Sequence, residues 1–320
     1  MQALVRTLIL LVWLPVAVSG QTTERVVEMR AAYANWLISN KTRGTGALAY
    51  EGQVIKGIRD ASTPIELASV GKSITALCAA ALWDQGRLDF SASVRDILGR
   101  GPDVSVASLV THTSGIVDDI TQPLMLLWLD TVEKRAGYVL DQMDAPRGTA
   151  GVYSYNNVNY ALLELVIEAV SGASYKVTCR RLVFNPVLAS GAPSPRTGGF
   201  LGWGGWLMSP LDFARVHSHW FGAATQTGRD PFAYPHIAIG DQGLHYGLGT
   251  FFRKNHTGDG TFNFWHFGAQ CFPGRLNAGS YAVTWGGTWT AVLGYDACVD
   301  FDTMFDLDAA MGRAAYKDLK

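Results

Sequence analysis

Residues 66–77 read ELASVGKSITAL, with a serine at 69 and a lysine at 72 at the head of an apolar run. On a helix a three-residue step returns to the same face, so the Lys72 amine comes within reach of the Ser69 hydroxyl. A serine at a helix N-terminus also meets free backbone N–H groups that favour a developing negative charge. Lysine acts as a base only where burial lowers its pKa, and Leu67, Ala68, Val70, Ile74 and Leu77 supply an apolar surround. The plainer reading is a surface Ser and Lys on an ordinary helix, since such a pair turns up about once by chance in a chain of this size. The rest of the sequence decides between them.

The 320 residues are 48% hydrophobic and 17% charged, with a formal net charge of −1. That composition describes a globular protein with a large core in one or two domains. Near-zero charge and the lack of any Lys/Arg run leave no electrostatic footprint for nucleic acid, so no nucleic-acid partner is expected. Residues 1–20, MQALVRTLILLVWLPVAVSG, carry one positive charge, then an apolar run from Leu8 to Val18, then small residues. The run is short for a spanning helix and the ending suits cleavage, so 1–20 reads as a secretory signal, with an uncleaved N-terminal anchor as the alternative. The expected protein is therefore secreted or periplasmic, without stable membrane insertion, and its folded domain is 21–320. Asn40-Lys41-Thr42 and Asn255-His256-Thr257 match the glycosylation pattern.

Thr23–Asn40 has helical periodicity, and Gly46–Tyr50 and Gln53–Ile58 read as a hairpin turned at Glu51-Gly52. A helix runs from Ser69 to about Trp83 and ends at Gln85-Gly86. Helices and Gly/Pro-rich loops fill the chain to about 235. Strand patterns return at Tyr246–Phe252, Thr261–Phe267, Ser280–Trp285 and Thr288–Tyr295, and Met304–Leu319 closes as a helix. Strands at both ends with helices between imply an α/β (α+β) fold. Its antiparallel sheet is built from both chain ends (about 21–68 and 236–320), flanked by the terminal helices, with a mainly helical insertion (about 69–235).

Four further stretches follow the Ser-x-x-Lys pair in order: DQGRLDFSASVRDIL (84–98), LVTHTSGIVD (109–118), YSYNNVNYALLELVIEAVSG (153–172) and GGWLMSPLDFARV (204–216). Together they resemble the serine β-lactamase-like superfamily, in its class C, family VIII esterase and penicillin-binding-protein-like branch. The resemblance covers most of 60–300 and implies a β-lactamase/transpeptidase-like fold, a Ser-Lys-Tyr mechanism through an acyl-enzyme, and no cofactor. Class A is excluded because Ser-Asp-Asn is missing.

The branch's second element, Tyr-x-Asn, matches at Tyr33-Ala34-Asn35 and Tyr155-Asn156-Asn157. The first precedes the nucleophile and reads as structural. The second implies Tyr155 as a catalytic residue, driven toward phenolate by the lysine ammonium, with Asn157 orienting Lys72 or the substrate. The third element, usually Lys-Thr-Gly, has no match. His245-Tyr246-Gly247, His256-Thr257-Gly258, His266-Phe267-Gly268 and Trp285-Gly286-Gly287 compete for the place. Only His266-Phe267-Gly268 leaves two strands and a helix after it, which makes it the choice and Trp285 the runner-up. The Ala269 amide would then join that of Ser69 in an oxyanion hole, with His266 and Gly268 lining the substrate site.

The remaining histidines read blandly. His112 braces its loop, and His217 and His219 are two residues apart on a helix, off one face, so no metal site is expected. Trp203 and Trp206 line an acyl pocket or pack in the core. Of the cysteines, Cys271 follows the proposed catalytic strand and Cys298 ends the last strand. In an up–down–up meander those ends share a side of the sheet, which suggests a disulfide if the loop at Cys271 folds across the intervening strand. Cys78 reads as a buried free thiol.

Substrate class follows from the third element. A lysine there would meet a substrate carboxylate, whereas a neutral His266 points to esters or small amides. A β-lactamase, a D-amino-acid or DD-peptidase and an acyltransferase are alternatives on the same scaffold, and an inactive penicillin-binding-like sensor is the non-enzymatic one.

Overall fold

The computed structural model describes residues 20–143 and 145–317, so the segment read as a signal lies almost wholly outside the described residues. Helix α1 (Gly20–Ser39) leads into strands β1 (Gly44–Tyr50) and β2 (Gln53–Ile58), which turn on Glu51 and Gly52 at φ of +48° and +79°. Two consecutive positive φ values give the tight turn whose twist matches a hairpin. After β3 (Ile65–Glu66) a 3-10 turn, Ala68–Gly71, carries Ser69 and runs directly into α2 (Lys72–Asp84). The residues of α2 are apolar or small nearly all round, and the helix is buried accordingly.

The chain then passes through α3 (Val94–Leu98), α4 (Val106–Val110), α5 (Thr121–Met125), α6 (Ala136–Gln142), α7 (Asn157–Ser171) and α8 (Tyr175–Cys179). Helix α7 starts on the Asn156 side chain, which accepts from the Val158 amide at 2.8 Å, and stops at Gly172 in the left-handed region. Strands β4 (Ala192–Pro193) and β5 (Trp206–Met208) join β3 in a small second sheet of order β3-β5-β4. Helix α9 (Pro210–Trp220) and α10 (Gln226–Arg229) follow. The chain then returns as β6 (His236–Ile239), β7 (Leu244–Gly247), β8 (Thr250–Lys254), β9 (Phe262–Phe272), β10 (Leu276–Trp285), β11 (Trp289–Tyr295) and α11 (Phe301–Ala315).

Among the described residues the main sheet has eight strands in the order β2-β1-β11-β10-β9-β8-β7-β6, all pairings antiparallel. The last strand therefore sits against the first hairpin, as the two-ended sheet requires. Period-two alternation divides the side chains between two cores. Leu48, Tyr281, Val283, Trp285, Leu293 and Tyr295 face α1 and α11. Ala47, Ala49, Phe264, Ala282 and Val292 face the helical side, where α2, α7 and α9 pack. Helix α9 lies on β1 and β11, so this part of the helical segment covers the sheet itself.

Three local readings change. The expected strand 246–252 is two strands, because Leu248 and Gly249 take positive φ (+53° and +70°). The turn presses on the start of α2, where a Cβ on Gly249 would collide with the Lys72 carbonyl. Cys78 is no free thiol: it pairs with Cys179, joining α2 to α8 with both residues fully buried. A second disulfide joins Cys271 and Cys298, Cα atoms 5.6 Å apart. The Asn255 side chain is also committed, donating to Thr261 Oγ1 and accepting from the Tyr316 hydroxyl, and is nearly buried. It presents no free amide for a glycan.

Candidate active site

The turn that carries Ser69 is wedged between β9 and the glycine-rich segment 198–205. Ala68, just before Ser69, is held at φ +46°, a left-handed conformation that is unfavourable for a residue with a Cβ. Its neighbours enforce it. Leu67 donates its amide to the Trp206 carbonyl and accepts from the Ser280 hydroxyl at 2.6 Å. A Cβ on Gly268 would come within 2.6 Å of the Leu67 carbonyl, so β9 can touch this turn only because residue 268 has no side chain. Pairing of β8 with β9 ends at Phe251–Trp265, which leaves the edge of β9 from His266 onward open to the turn.

Lys72 is fully buried and donates three hydrogen bonds: to Ser69 Oγ at 3.2 Å, Asn157 Oδ1 at 2.7 Å and the Trp203 carbonyl at 2.9 Å. These use every N–H of an ammonium, and the one to Ser69 is the longest. Burial pulls its pKa down to about 7, against a smaller upward pull from Asp119. Around neutral pH the amine thus carries a lone pair for part of the population, and the Ser69 hydroxyl is the contact from which a proton can move.

Tyr155 lies beside this pair, its ring centroid 4.9 Å from Lys72 Nζ. Much of its surface opens on the cleft, yet its hydroxyl faces Ser69, and burial raises its pKa well above the ordinary phenol value while a hydrogen bond with Ser69 opposes the rise. Desolvation at the hydroxyl thus works against the expected phenolate, since it raises the pKa by more than the neighbouring Ser69 hydroxyl lowers it. Tyr33 lies elsewhere, its hydroxyl donating to the Gly294 carbonyl at 2.7 Å between α1 and the sheet.

His266 is buried on β9 with its ring against those of Tyr155, Tyr246 and Phe251. Burial first, then the Lys72 charge, lowers its pKa to about 3, so it is neutral. Trp285 points to the opposite face, among the α1–α11 core, and Gly286 and Gly287 both have positive φ in the β10–β11 turn. His245 packs with Phe232 and Phe252, and His256 lies on Tyr316. His112 accepts from the Asn156 amide at 3.2 Å and packs against Tyr155, Tyr160 and Tyr246, bracing the loop that presents Tyr155. His217 is buried on Thr284, and His219 stacks edge-on with Trp220.

Ser69, Tyr155, Asn157, Trp203 and Ala269 line one cleft of about 180 Å³, with Met125, Phe200 and Phe272 as its apolar wall; His266 and Gly268, expected to line it, instead pack behind it against Tyr155 and the Leu67–Ala68 turn. Larger hollows of about 550 and 600 Å³ lie at the end of the β1–β11 pair and between α1 and α11, but neither holds a nucleophile with a base. Trp206 packs in the core on Phe184 and Tyr175. Several residues of the site have no signature in the sequence. Asp119 accepts from the Asn157 amide, Gln270 donates to the Gly204 carbonyl at 2.9 Å, and buried Glu164 accepts from the Gly202 amide with its pKa raised to about 8 by desolvation. Only the Gly-rich run around 202–205 hinted that a backbone approaches closely there.

An antiparallel sheet from both chain ends, with a serine–lysine pair at the head of the central helix, defines the β-lactamase/transpeptidase-like class. Comparison with known proteins agrees: the chain belongs to the beta-lactamase family, whose model matches residues 41–296. PbpX of Bacillus subtilis (strain 168) is 26% identical over 177 residues, 51% of this chain and 44% of that protein. Protein flp of Staphylococcus aureus is 29% identical over 128 residues, 36% of this chain and 24% of its own. The chain thus matches less than half the length of either relative. Among solved structures, a penicillin-binding protein homologue from Pyrococcus abyssi superposes with a TM-score of 0.70 at 18% identity, covering 92% of this chain and 79% of that one. A class C beta-lactamase from Rhodobacter sphaeroides gives 0.68 at 14% identity, covering 90% and 99%. Among the described residues, no helix is long and apolar enough to cross a membrane.

Proposed function

We propose that the protein is an exported serine hydrolase that forms an acyl-enzyme on small, uncharged esters or amides. The observation that carries this reading is the buried Lys72 amine, its pKa near neutrality, hydrogen-bonded to the hydroxyl of Ser69. Neutral Lys72 takes the Ser69 proton as Oγ attacks the substrate carbonyl, and the Ser69 and Ala269 amides hold the oxyanion. The Tyr155 phenol gives its proton to the leaving group and regains one from the Lys72 ammonium. Water then attacks the ester of Ser69, its proton passing to Lys72 and on to Ser69 as the acid is released.

Substrate class rests on the cleft. Apart from Lys72 beneath its floor, no cationic side chain among the described residues lines it, and His266, where the resemblance expects a lysine, is neutral and packed against Tyr155 outside the lining. A substrate carboxylate would find no cationic partner there among the described residues. Its volume falls below that of sites for drug-sized ligands, typically some 300 Å³ or more, which favours a short acyl group. Export is supported by the signal-like residues 1–20 and by two disulfides, which persist in oxidising compartments.

Turnover of p-nitrophenyl acetate and butyrate, measured beside nitrocefin and a peptide ending in D-alanyl-D-alanine, tests the reading. The esters are expected to turn over and the carboxylate-bearing substrates to lag at least tenfold. Faster hydrolysis of nitrocefin or of the D-alanyl-D-alanine peptide would overturn the substrate class. No turnover together with no fluorophosphonate adduct on Ser69 would overturn the hydrolase itself.

A further inference from the structure

The loop between the His-Thr-Ser-Gly stretch and α5 puts a carboxylate behind Asn157, and every hydrogen of that contact can be assigned. Asp119 Oδ1 accepts from the Thr121 hydroxyl at 2.6 Å and the Thr121 amide at 3.0 Å. Asp119 Oδ2 accepts from the Asn157 amide at 3.1 Å. Thr121, fully buried, has spent its only hydroxyl hydrogen on Asp119, so its oxygen can only accept, and it accepts from Asn157 Nδ2 at 3.2 Å. The Asn157 carboxamide is thereby fixed with its oxygen turned to Lys72.

We propose that Asp119 is a positioning residue of the active site, acting through Thr121 to orient the Asn157 amide and through its charge to hold the Lys72 ammonium. The proposal rests on the serine-hydrolase reading. Without the Asp119 acceptor the Thr121 hydroxyl can point either way, the Asn157 amide can flip, and an NH₂ group can face the lysine. The charge has a separable effect. The groups facing Lys72 are Tyr155 and Tyr160 from the α7 side, His112 from the loop after α4, His266 from β9, and Asp119. The tyrosines are held protonated and the two histidines neutral by burial, which leaves Asp119 as the one charged neighbour of that set at neutral pH. An opposite charge favours the ammonium, so removing it makes Lys72 easier to deprotonate.

The test is the pH dependence of the rate at which a fluorophosphonate probe labels Ser69, in the wild type, D119N, T121V and T121S. Loss of the charge in D119N should move the acid limb of the profile down by roughly one pH unit. T121V keeps the carboxylate and the volume but cuts the relay. Its limb should stay in place while its plateau rate falls about tenfold, and T121S should restore the plateau. A wild-type protein that takes no label at Ser69 overturns the hydrolase reading on which the proposal stands. A labelled wild type with the D119N limb unmoved, or with T121V at the wild-type plateau, overturns the role of Asp119 alone. Should D119N not fold, the T121V plateau decides by itself: unlowered it overturns that role, and lowered and rescued by T121S it upholds it.

Discussion

At the residue scale the site separates two jobs that a tyrosine and a lysine can each perform, and burial makes the division. Desolvation opposes charge on both, lowering Lys72 to about 7 and raising Tyr155, which is why the proposed mechanism gives the amine the part of base and the phenol that of acid. The sign for activity follows. Protonated Lys72 cannot accept, so kcat/KM for p-nitrophenyl butyrate should rise about tenfold per pH unit below 7 and level off above it. A profile flat from pH 5 to 9 would remove Lys72 from the role. Tyr155→Phe should cost at least a hundredfold in kcat, whereas Tyr33→Phe should leave kcat intact and cost about 1 kcal/mol of stability through the lost bond to the Gly294 carbonyl. Equal kinetic effects would refute the assignment. Ser69, Lys72 and the Tyr155–Asn157 pair could be read from sequence because short, ordered motifs hold them. Asp119 and Thr121 could not, because they meet Asn157 across 38 and 36 residues of chain and a lone carboxylate in a loop has no period.

At the element scale the deciding contact is β9 against the turn that carries Ser69. The strands of the C-terminal meander were legible as strand patterns, and the first hairpin from its turn at Glu51-Gly52. The break at Leu248-Gly249 was not, since a turn inside an apolar run looks like more strand until α2 is seen to require it. The two-residue strands β3 and β4 fall below any pattern. Gly268 shows what the close approach demands. Its backbone is not in the left-handed region, so the glycine is needed for space alone, between Leu67, Ala68 and the Ser280 hydroxyl. Gly268→Ala should therefore push the turn off β9, costing about 1–3 kcal/mol from overpacking and around a hundredfold in kcat from a displaced Oγ. Thermal unfolding and single-turnover acylation measure the two separately. An alanine variant with wild-type values for both would mean that the strand and the turn are not in contact.

At the scale of the whole molecule, two disulfides tie the catalytic elements to distant chain, and they differ in access. Cys78–Cys179 joins α2 to α8 across 101 residues, and both cysteines are inaccessible. Cys271–Cys298 spans 27 residues, and both of its cysteines are exposed. In the chain-entropy model the longer closure contributes ~4.7 kcal/mol and the shorter ~3.5 kcal/mol. A thiolate must reach a sulfur to exchange with it, so access decides the order of reduction. Mild reductant followed by alkylation and peptide mapping should label Cys271 and Cys298 in folded protein, and Cys78 and Cys179 only once the helical core opens. Because Cys271 lies two residues beyond Ala269 and lines the cleft, the partly reduced enzyme should show a raised KM for p-nitrophenyl butyrate with its melting cooperativity retained. Alkylation of all four cysteines at one rate would mean that the core around α2 offers the buried pair no protection. Unchanged kinetics after selective opening of Cys271–Cys298 would show that β9 is held in place by its pairing with β8 and β10 without the disulfide.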